Sequence, residues 1–520
     1  MTVVGLKERP YDRLISAARH RPSRVKNRTL EEEADADRGR VLFCAPFRRL
    51  QNKAQVFSLE SNAAVRSRLT HSLEVSSIGR FVAQQAVKAF PSADLKRLGL
   101  EGKERPLLTF VETACLLHDL GNPPFGHFGE IAISDWFHLK RTSVLPDAIG
   151  GITRQRWDKY YADFIHFDGN PQGLRIATKL QPSEAGDLCG LNLTATTLAA
   201  TVKYPWTADL VGQPVEPNGE SRKKAGYFQT EQPIVDWICA ALVVRAGARH
   251  PLVYSMEAAD DIAYCVSDIE DGIEKGLITG AEFAKYMLDY VEDSTPFKKN
   301  RRTRDKDVED ILKSLGTLRK KVHSNDEGNS LQSLASMSGM NDFRSAAIRY
   351  LARHAGIVFR ERQDRILEGE YFALLRDCEA SPLIRGLKDF ASSFLYDSRT
   401  VRSREITAQA VLCGLLDAYL PLMSCDKSRF DAALNGEHQD ESGRPIARES
   451  SLASRIAPKY LVVYREEVRQ TGLLLKNDPG AAKVMERIHR LRLLVDYISG
   501  MTDGFALQCF HLISGVQIGA

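Results

Sequence analysis

The stretch Leu116–His127, "LLHDLGNPPFGH", ends an apolar run in a histidine–aspartate pair and then breaks it with Gly-Asn-Pro-Pro. Glycine and proline in that order stop a helix. Adjacent residues on a helix point about 100° apart, so His118 and Asp119 do not meet a neighbour as an i,i+4 pair would. At a helix end the backbone is leaving helical geometry, and two neighbouring side chains can turn toward one point. The stretch therefore predicts a helix that ends here and delivers a His–Asp pair at its end.

The surrounding sequence is helical too. "THSLEVSSIGRFVAQQAVKAF", from residue 70, repeats its apolar residues at helical spacing through Leu73, Val75, Ile78, Val82 and Val87, with Thr70 or Ser72 as start cap. "PLLTFVETACLLHDLG" is a second helix and "GEIAISDWFHLKR" a third. Residues 143–235 read as irregular, rich in Gly, Pro, Asn and Thr. "VDWICAALVVRAG", about 235–247, and "YSMEAADDIAYCVSDIEDGIEKGLI" are again helical, the latter acidic on one side. Residues 295–330 are charge-dense and read as a mobile loop, as an oligomer or phosphate contact, or simply as a solvated stretch. Further helical patterns run to the end, two of them separated by a loop at 426–449. Alternating β-branched runs are few and no internal repeat is present, so the class is mostly α.

The totals of this chain of 520 residues bound the function loosely. The length fits two to four domains or one large helical domain. A hydrophobic content of 43% with 27% charged residues is that of an ordinary globular protein. A net charge of +4, from 71 basic and 67 acidic residues, does not by itself indicate a nucleic-acid partner. The arginine-rich segment 1–60 has two readings, a basic arm on phosphates or a solvated surface. No uninterrupted apolar run approaches the roughly 18 residues that span a bilayer. The N-terminus has no apolar signal region. None of the nine cysteines forms a C-x-x-C pair, and Cys115, Cys239, Cys265 and Cys413 lie in apolar runs as small hydrophobes. These features predict a cytoplasmic protein with no membrane partner.

Four candidate metal ligands stand in order: His71, His118, Asp119 and Asp260. A lone histidine in an apolar helix is usually a satisfied core or surface residue. The order His…His-Asp…Asp, each member in or beside a helix, is far more specific. Imidazole and carboxylate together suit Mn, Fe, Co, Ni or Zn, and Mg less well. Asp260, Tyr264 and Asp268 fall at i, i+4 and i+8 and form one stripe. Asp261 is a rival ligand that spacing does not exclude. His127 and Glu130, at i and i+3, read either as an acid/base pair or as a capped helix start.

These residues resemble the HD-domain phosphohydrolase superfamily and, within it, the bacterial deoxyguanosinetriphosphate triphosphohydrolase (dGTPase) family. The resemblance rests on "RRLQNKAQVFSLESNAAVRSRLTHSLEV", "CLLHDLGNPPFGHFGEIAISDWF", "HFDGNPQGLR", "KKAGYF", "MEAADDIAYCVSDIEDGIEK" and "DYISGMTDGFAL", spread over about residues 36–507. Residues 295–400 and 426–449 match poorly. The resemblance implies an all-α fold in which residues 1–520 form a single large unit. That unit has an HD-domain helical core at about 66–275 and a C-terminal helical region at about 330–520, and it assembles as a homo-hexamer. It implies attack of water on the α-phosphorus of dGTP, giving deoxyguanosine and tripolyphosphate, with one divalent metal ion per subunit (Mg, Mn or another transition metal). His71, His118, Asp119 and Asp260 match the metal ligands, which selects Asp260 over Asp261. His127 and Glu130 match the pair beside the scissile phosphate. Gln55, Asn170, Lys224, Tyr264 and Asp268 match nucleotide-holding positions, with Gln55 and Tyr264 at the sugar. Glu405 corresponds to a base-reading residue, and Arg66 and Arg68 are read as cations for the triphosphate. Single-stranded DNA is implied as an effector. The alternatives left open are a broad dNTPase or another HD-domain nucleotide phosphohydrolase, such as a 5′-nucleotidase or cyclic-nucleotide phosphodiesterase. A further one is a nucleic-acid-binding protein with a structural metal site.

Overall fold

The computed structural model describes residues 9–59, 62, 64–145, 148–149, 152–153, 157–181, 188–215, 219–292, 294, 297, 305–320, 330–397 and 399–516. The fold is all-α. Among the described residues the only strands are two short antiparallel hairpins, Ala148–Ile149 with Ile152–Thr153 and Pro214–Val215 with Glu220–Ser221. The helices used below are α1 (Leu30–Phe43), α2 (Arg68–Ala89), α3 (Glu104–Leu117), α4 (His127–Leu139), α5 (Gly169–Thr178), α6 (Ala195–Thr201), α7 (Pro251–Glu274), α8 (Ser330–Glu361), α9 (Ser381–Ala391), α10 (Arg399–Ser424), α11 (Pro458–Leu474), α12 (Pro479–Ser499) and α13 (Asp503–Ser514).

Two large hydrophobic cores hold these helices. The first joins α2 and α7 to the greater part of α3, with α8 and α9 outside them. The second joins α4 and α5 to α10, α11, α12 and α13. Helix α3 serves both. Leu107, Phe110, Val111 and Ala114 pack in the first core, while Leu116 and Leu117 pack in the second. The His118–Asp119 pair follows directly, so the apolar stretch that decides the fold sets the pair at the seam between the cores. Burying each such Leu, Val or Phe contributes about 1.5–3 kcal/mol. Close approach fixes the geometry of the first core. A Cβ on Gly79 of α2 would lie 2.4 Å from Cys115 Sγ of α3 and 3.5 Å from Cβ of Ala259 in α7. Gly79→Leu would force these three helices apart.

Several boundaries differ from the sequence reading. Helix α2 starts earlier than Thr70, because Ser67 caps it. The Ser67 side chain accepts the Thr70 amide while Thr70 Oγ1 accepts the Ser67 amide. The helix read at 235–247 spans Gln232–Leu242 and ends at Val243, whose φ of 54° leaves helical geometry. The stretch 143–235 is less irregular than its composition suggests, holding Asp158–Ile165, α5 and α6. The loop at 426–449 contains Lys427–Leu434 and the start of Ala447–Ala453. Lys306–Lys320 is a helix within the charge-dense stretch, whose residues 298–304 and 321–329 lie outside the described ones.

All nine cysteines are free; Cys115 and Cys265 are buried, whereas Cys239 and Cys413 are only partly so. Among the described residues one helix, Arg402–Ser424, is long and apolar enough to cross a membrane, although polar residues interrupt its apolar sequence. Half of its apolar window is buried inside the fold, where it packs on α4, α12 and α13.

Candidate active site

Helix α2 delivers His71, fully buried; the end of α3 delivers His118 and Asp119; α7 delivers Asp260. His118 Nδ1 lies 2.6 Å from the Cys115 carbonyl oxygen. Donation of its proton there leaves Nε2 free as a ligand atom. Asp260 Oδ1 stands 3.5 Å from His71 Nε2 and 3.5 Å from His118 Nε2. Ligand atoms of these three residues all lie within 4.8 Å of one another, a group able to hold a metal ion. Neither of those ring nitrogens has a hydrogen-bond partner, although both are buried. Buried donors and acceptors are normally paired. Two orphaned imidazole nitrogens aimed at one carboxylate therefore fit a cation.

Asp119 Oδ1 is 3.6 Å from His118 Nε2. Its carboxylate accepts Arg68 Nη1 at 2.8 Å and Asn122 Nδ2 at 2.5 Å. Burial alone would raise the Asp260 carboxyl, but His118, His71 and Lys203 hold it far below the usual range. Asp119 is likewise lowered against burial, chiefly by Arg68. For His71 burial favours the neutral ring, but Asp260 and Asp119 outweigh it and raise its pKa. Asp261 turns to Lys388, 3.0 Å away, so of the two aspartates Asp260 faces both imidazoles.

The second group sits where α4 begins. His127 Nδ1 is 2.9 Å from Glu130 Oε2, and Glu130 Oε1 accepts the Gly169 amide at 2.8 Å. The His127 side chain is 69% exposed and that of Glu130 only 8%, so the carboxylate anchors and the ring reaches out. Lys224 Nζ lies 3.4 Å from Glu130 Oε2 and 2.5 Å from Asp168 Oδ2. Asp168 caps α5 by accepting the Asn170 amide at 2.9 Å, and it holds the Asn170 side chain at 2.6 Å. Burial pushes the Lys224 ammonium toward neutrality, but Glu130 and Asp168 outweigh it and raise its pKa.

One cavity of about 590 Å³ brings both groups together. Gln55, Asn170, Lys224 and Tyr264 line it, with His118, Asp119, Asp260, His127 and Glu130. His71 lies buried behind the wall, against His118. Asp268 is buried one turn beyond Tyr264 and accepts the Tyr396 hydroxyl at 2.6 Å; burial raises its carboxyl to about 7. Tyr396 stacks on Tyr264 with ring centroids 5.9 Å apart and lines the cavity. Glu405 borders a smaller adjoining cavity of about 450 Å³, with Phe128, Tyr396 and Arg402.

Two readings of the cations change. Arg66 does not line the cavity: its guanidinium is held by Glu74, Glu270 and Asp271. Lys203 lines the cavity instead. Its ammonium lies 3.8 Å from Asp260 Oδ2 and 3.7 Å from Glu257 Oε1, on the cavity wall. Nothing in the local pattern "ATVKYPW", just past α6, marks Lys203, because its place follows from how α6 packs on α7.

An all-α fold that gathers imidazoles, carboxylates and lysines around one cavity has the groups a metal-assisted hydrolase uses. No family model matches the chain. The chain is 32% identical to the probable deoxyguanosinetriphosphate triphosphohydrolase of Pseudomonas aeruginosa over 98% of both chains. It is 32% identical to the deoxyguanosinetriphosphate triphosphohydrolase of Serratia proteamaculans, again over 98% of both. To that of Yersinia enterocolitica it is 32% identical over 93% of this chain and 94% of the relative. The chain belongs to the deoxyguanosinetriphosphate triphosphohydrolase family.

Proposed function

We propose that the chain hydrolyses dGTP to deoxyguanosine and tripolyphosphate in this cavity. The observation that carries the reading is the meeting, at one cavity, of His118 and Asp260 backed by buried His71, the His127–Glu130 pair and two lysines. A triphosphate brings about four negative charges, and Lys203, Lys224 and Arg68 meet them. His71, His118, Asp119 and Asp260 would hold one divalent ion, Mg²⁺, Mn²⁺ or another transition metal. When bound, such an ion supplies Lewis-acid polarisation of a phosphoryl oxygen and acidifies water.

The chain's own residues do the rest. Glu130, pinned by Gly169 and Lys224, orients the His127 ring through Nδ1. That leaves Nε2 as the atom at which a proton is held or moved between water and the leaving 5′-oxygen. Asn170 and Lys224 take the phosphates. Gln55 and Tyr264 lie against the sugar, where a 2′-hydroxyl would be crowded, and Asp268 acts on the nucleoside side with Tyr396. Assembly as a homo-hexamer, activation by single-stranded DNA and a cytoplasmic location belong to the same reading, supported by the family resemblance.

The test is a product assay. Purified protein with Mn²⁺ or Mg²⁺ is offered each dNTP and GTP separately, and the products are resolved by ion exchange. Deoxyguanosine and tripolyphosphate from dGTP, with little from GTP, bear the reading out. Equal turnover of all four dNTPs makes the chain a general dNTPase. No nucleoside from any of them, with or without single-stranded DNA, removes the substrate assignment.

A further inference from the structure

The turn between α3 and α4 is held by the far end of the chain. Phe125 has a φ of 62° and Gly126 a φ of 58°. The glycine is required there, since its φ of 58° with ψ of −127° is a conformation open essentially to glycine alone. For Phe125 the left-handed conformation costs free energy and persists only where the surroundings hold it. What holds it is Asp503, 2% exposed at the start of α13. Its Oδ1 accepts the Phe125 amide at 2.9 Å and its Oδ2 accepts the Ala54 amide at 3.1 Å. Beside it the buried Lys53 ammonium donates to the Asn122 carbonyl and, at 3.0 Å, to the Ser499 carbonyl at the end of α12. Asn122 and Phe125 line the cavity, His127 follows the turn, and Gln55 follows Ala54.

We propose that the Ser499–Asp503 corner, acting through Asp503 and Lys53, is a positioning element for hydrolysis: it sets the Asn122–Gly126 turn and, with it, His127. Both Asp503 oxygens are used on backbone amides, one for the turn that carries His127 and one for the segment that carries Gln55. The corner thus ties the acid/base side of the cavity to the sugar side with a single carboxylate. Neither residue lines the cavity, so both are positioning residues and neither is catalytic. The inference rests on the hydrolytic reading of the cavity. Wild-type turnover tests that reading, whereas amide exchange tests the tie whatever the substrate.

The experiment compares Asp503→Ala, Asp503→Asn, Lys53→Met and Thr502→Ala in the full-length protein. Thr502 caps α13 beside Asp503 but does not touch the turn, so its loss weakens the helix alone. The readouts are kcat and KM for dGTP, melting temperature, and hydrogen exchange of the peptide spanning residues 117–128. Misplacing a catalytic group by about 1 Å costs roughly 10²-fold in rate. The expected result is a kcat fall of that order in Asp503→Ala and Lys53→Met with KM unchanged, faster exchange in the turn, and a smaller fall in Asp503→Asn, which keeps one acceptor. Thr502→Ala should lower the melting temperature with kcat and turn exchange unchanged. If Asp503→Ala does not fold, Asp503→Asn decides on the same readouts. Unchanged turn exchange, a loss confined to KM, or an equal kcat loss in Thr502→Ala would overturn the proposal.

Discussion

His127 and Glu130 face each other one helical turn apart, Nδ1 to Oε2 at 2.9 Å, with the ring open to the cavity and the carboxylate buried. A helix cap needs no such division of exposure, whereas an acid/base histidine does. His127→Ala should lower kcat by roughly 10²–10⁴-fold, the usual worth of a positioned proton-transfer group. Divalent-ion binding should survive, because His127 is not among the residues gathered around Asp260. Steady-state kinetics with calorimetric Mn²⁺ titration checks both; full activity in the variant would exclude the role.

Asp260 and Asp261 are adjacent yet make different contacts. Asp260 stands 3.5 Å from both imidazoles, and Asp261 pairs with Lys388. Asp260→Asn should abolish Mn²⁺ binding and turnover together. Asp261→Asn should keep both. The reverse outcome by calorimetry would transfer the ligand role to Asp261.

Lys224 is fixed between Asp168 and Glu130 on the cavity wall, where the proposed function places the phosphates. A hydrogen bond to a charged group contributes about 1.5–3 kcal/mol. Lys224→Met should therefore reduce kcat/KM for dGTP by roughly 10–100-fold, and KM should rise. An unchanged KM would place the triphosphate elsewhere.

His250 ties stability to pH. It caps α7 by accepting the Leu252 amide at Nδ1, and its Nε2–H donates to the Leu14 carbonyl at 2.9 Å. Burial lowers its pKa from 6.5 to about 4. The unfolded chain therefore binds the proton first as pH falls. The stabilisation is complete above about pH 6.5 and is lost between there and about pH 4, by up to roughly 3 kcal/mol. His250→Asn, which caps without titrating, should be less stable at pH 7.5 but lose less melting temperature between pH 7.5 and 5. An identical pH slope in the variant would contradict this.

Much of the site was legible because the signals are local. A helix that stops at Gly-Asn-Pro-Pro announces the His118–Asp119 pair, and an i,i+3 spacing makes His127 and Glu130 neighbours while leaving a helix cap as the other reading. What was hidden depends on partners distant in the chain. Arg66 reads as a free cation until Glu270 and Asp271 reach it from α7. Nothing in the sequence singles out Lys203, which reaches the cavity because α6 packs on α7. Tyr396 lies in the stretch 295–400 that matches the family poorly, and its stacking on Tyr264 and hydrogen bond to Asp268 bring it to the cavity. Helix α5 is short and turn-rich in sequence. It holds because buried Arg175 meets Asp496, Glu467 and Glu231 from far along the chain. Composition cannot reveal such a network.

The most direct test of the central claim is hydrolysis of dGTP in ¹⁸O-labelled water with mass analysis of both products. Attack of water at the α-phosphorus, with cleavage of its bond to the 5′-oxygen, predicts one ¹⁸O in tripolyphosphate and unlabelled deoxyguanosine. Label in the nucleoside, or release of dGMP with pyrophosphate or of dGDP with orthophosphate, would contradict the account.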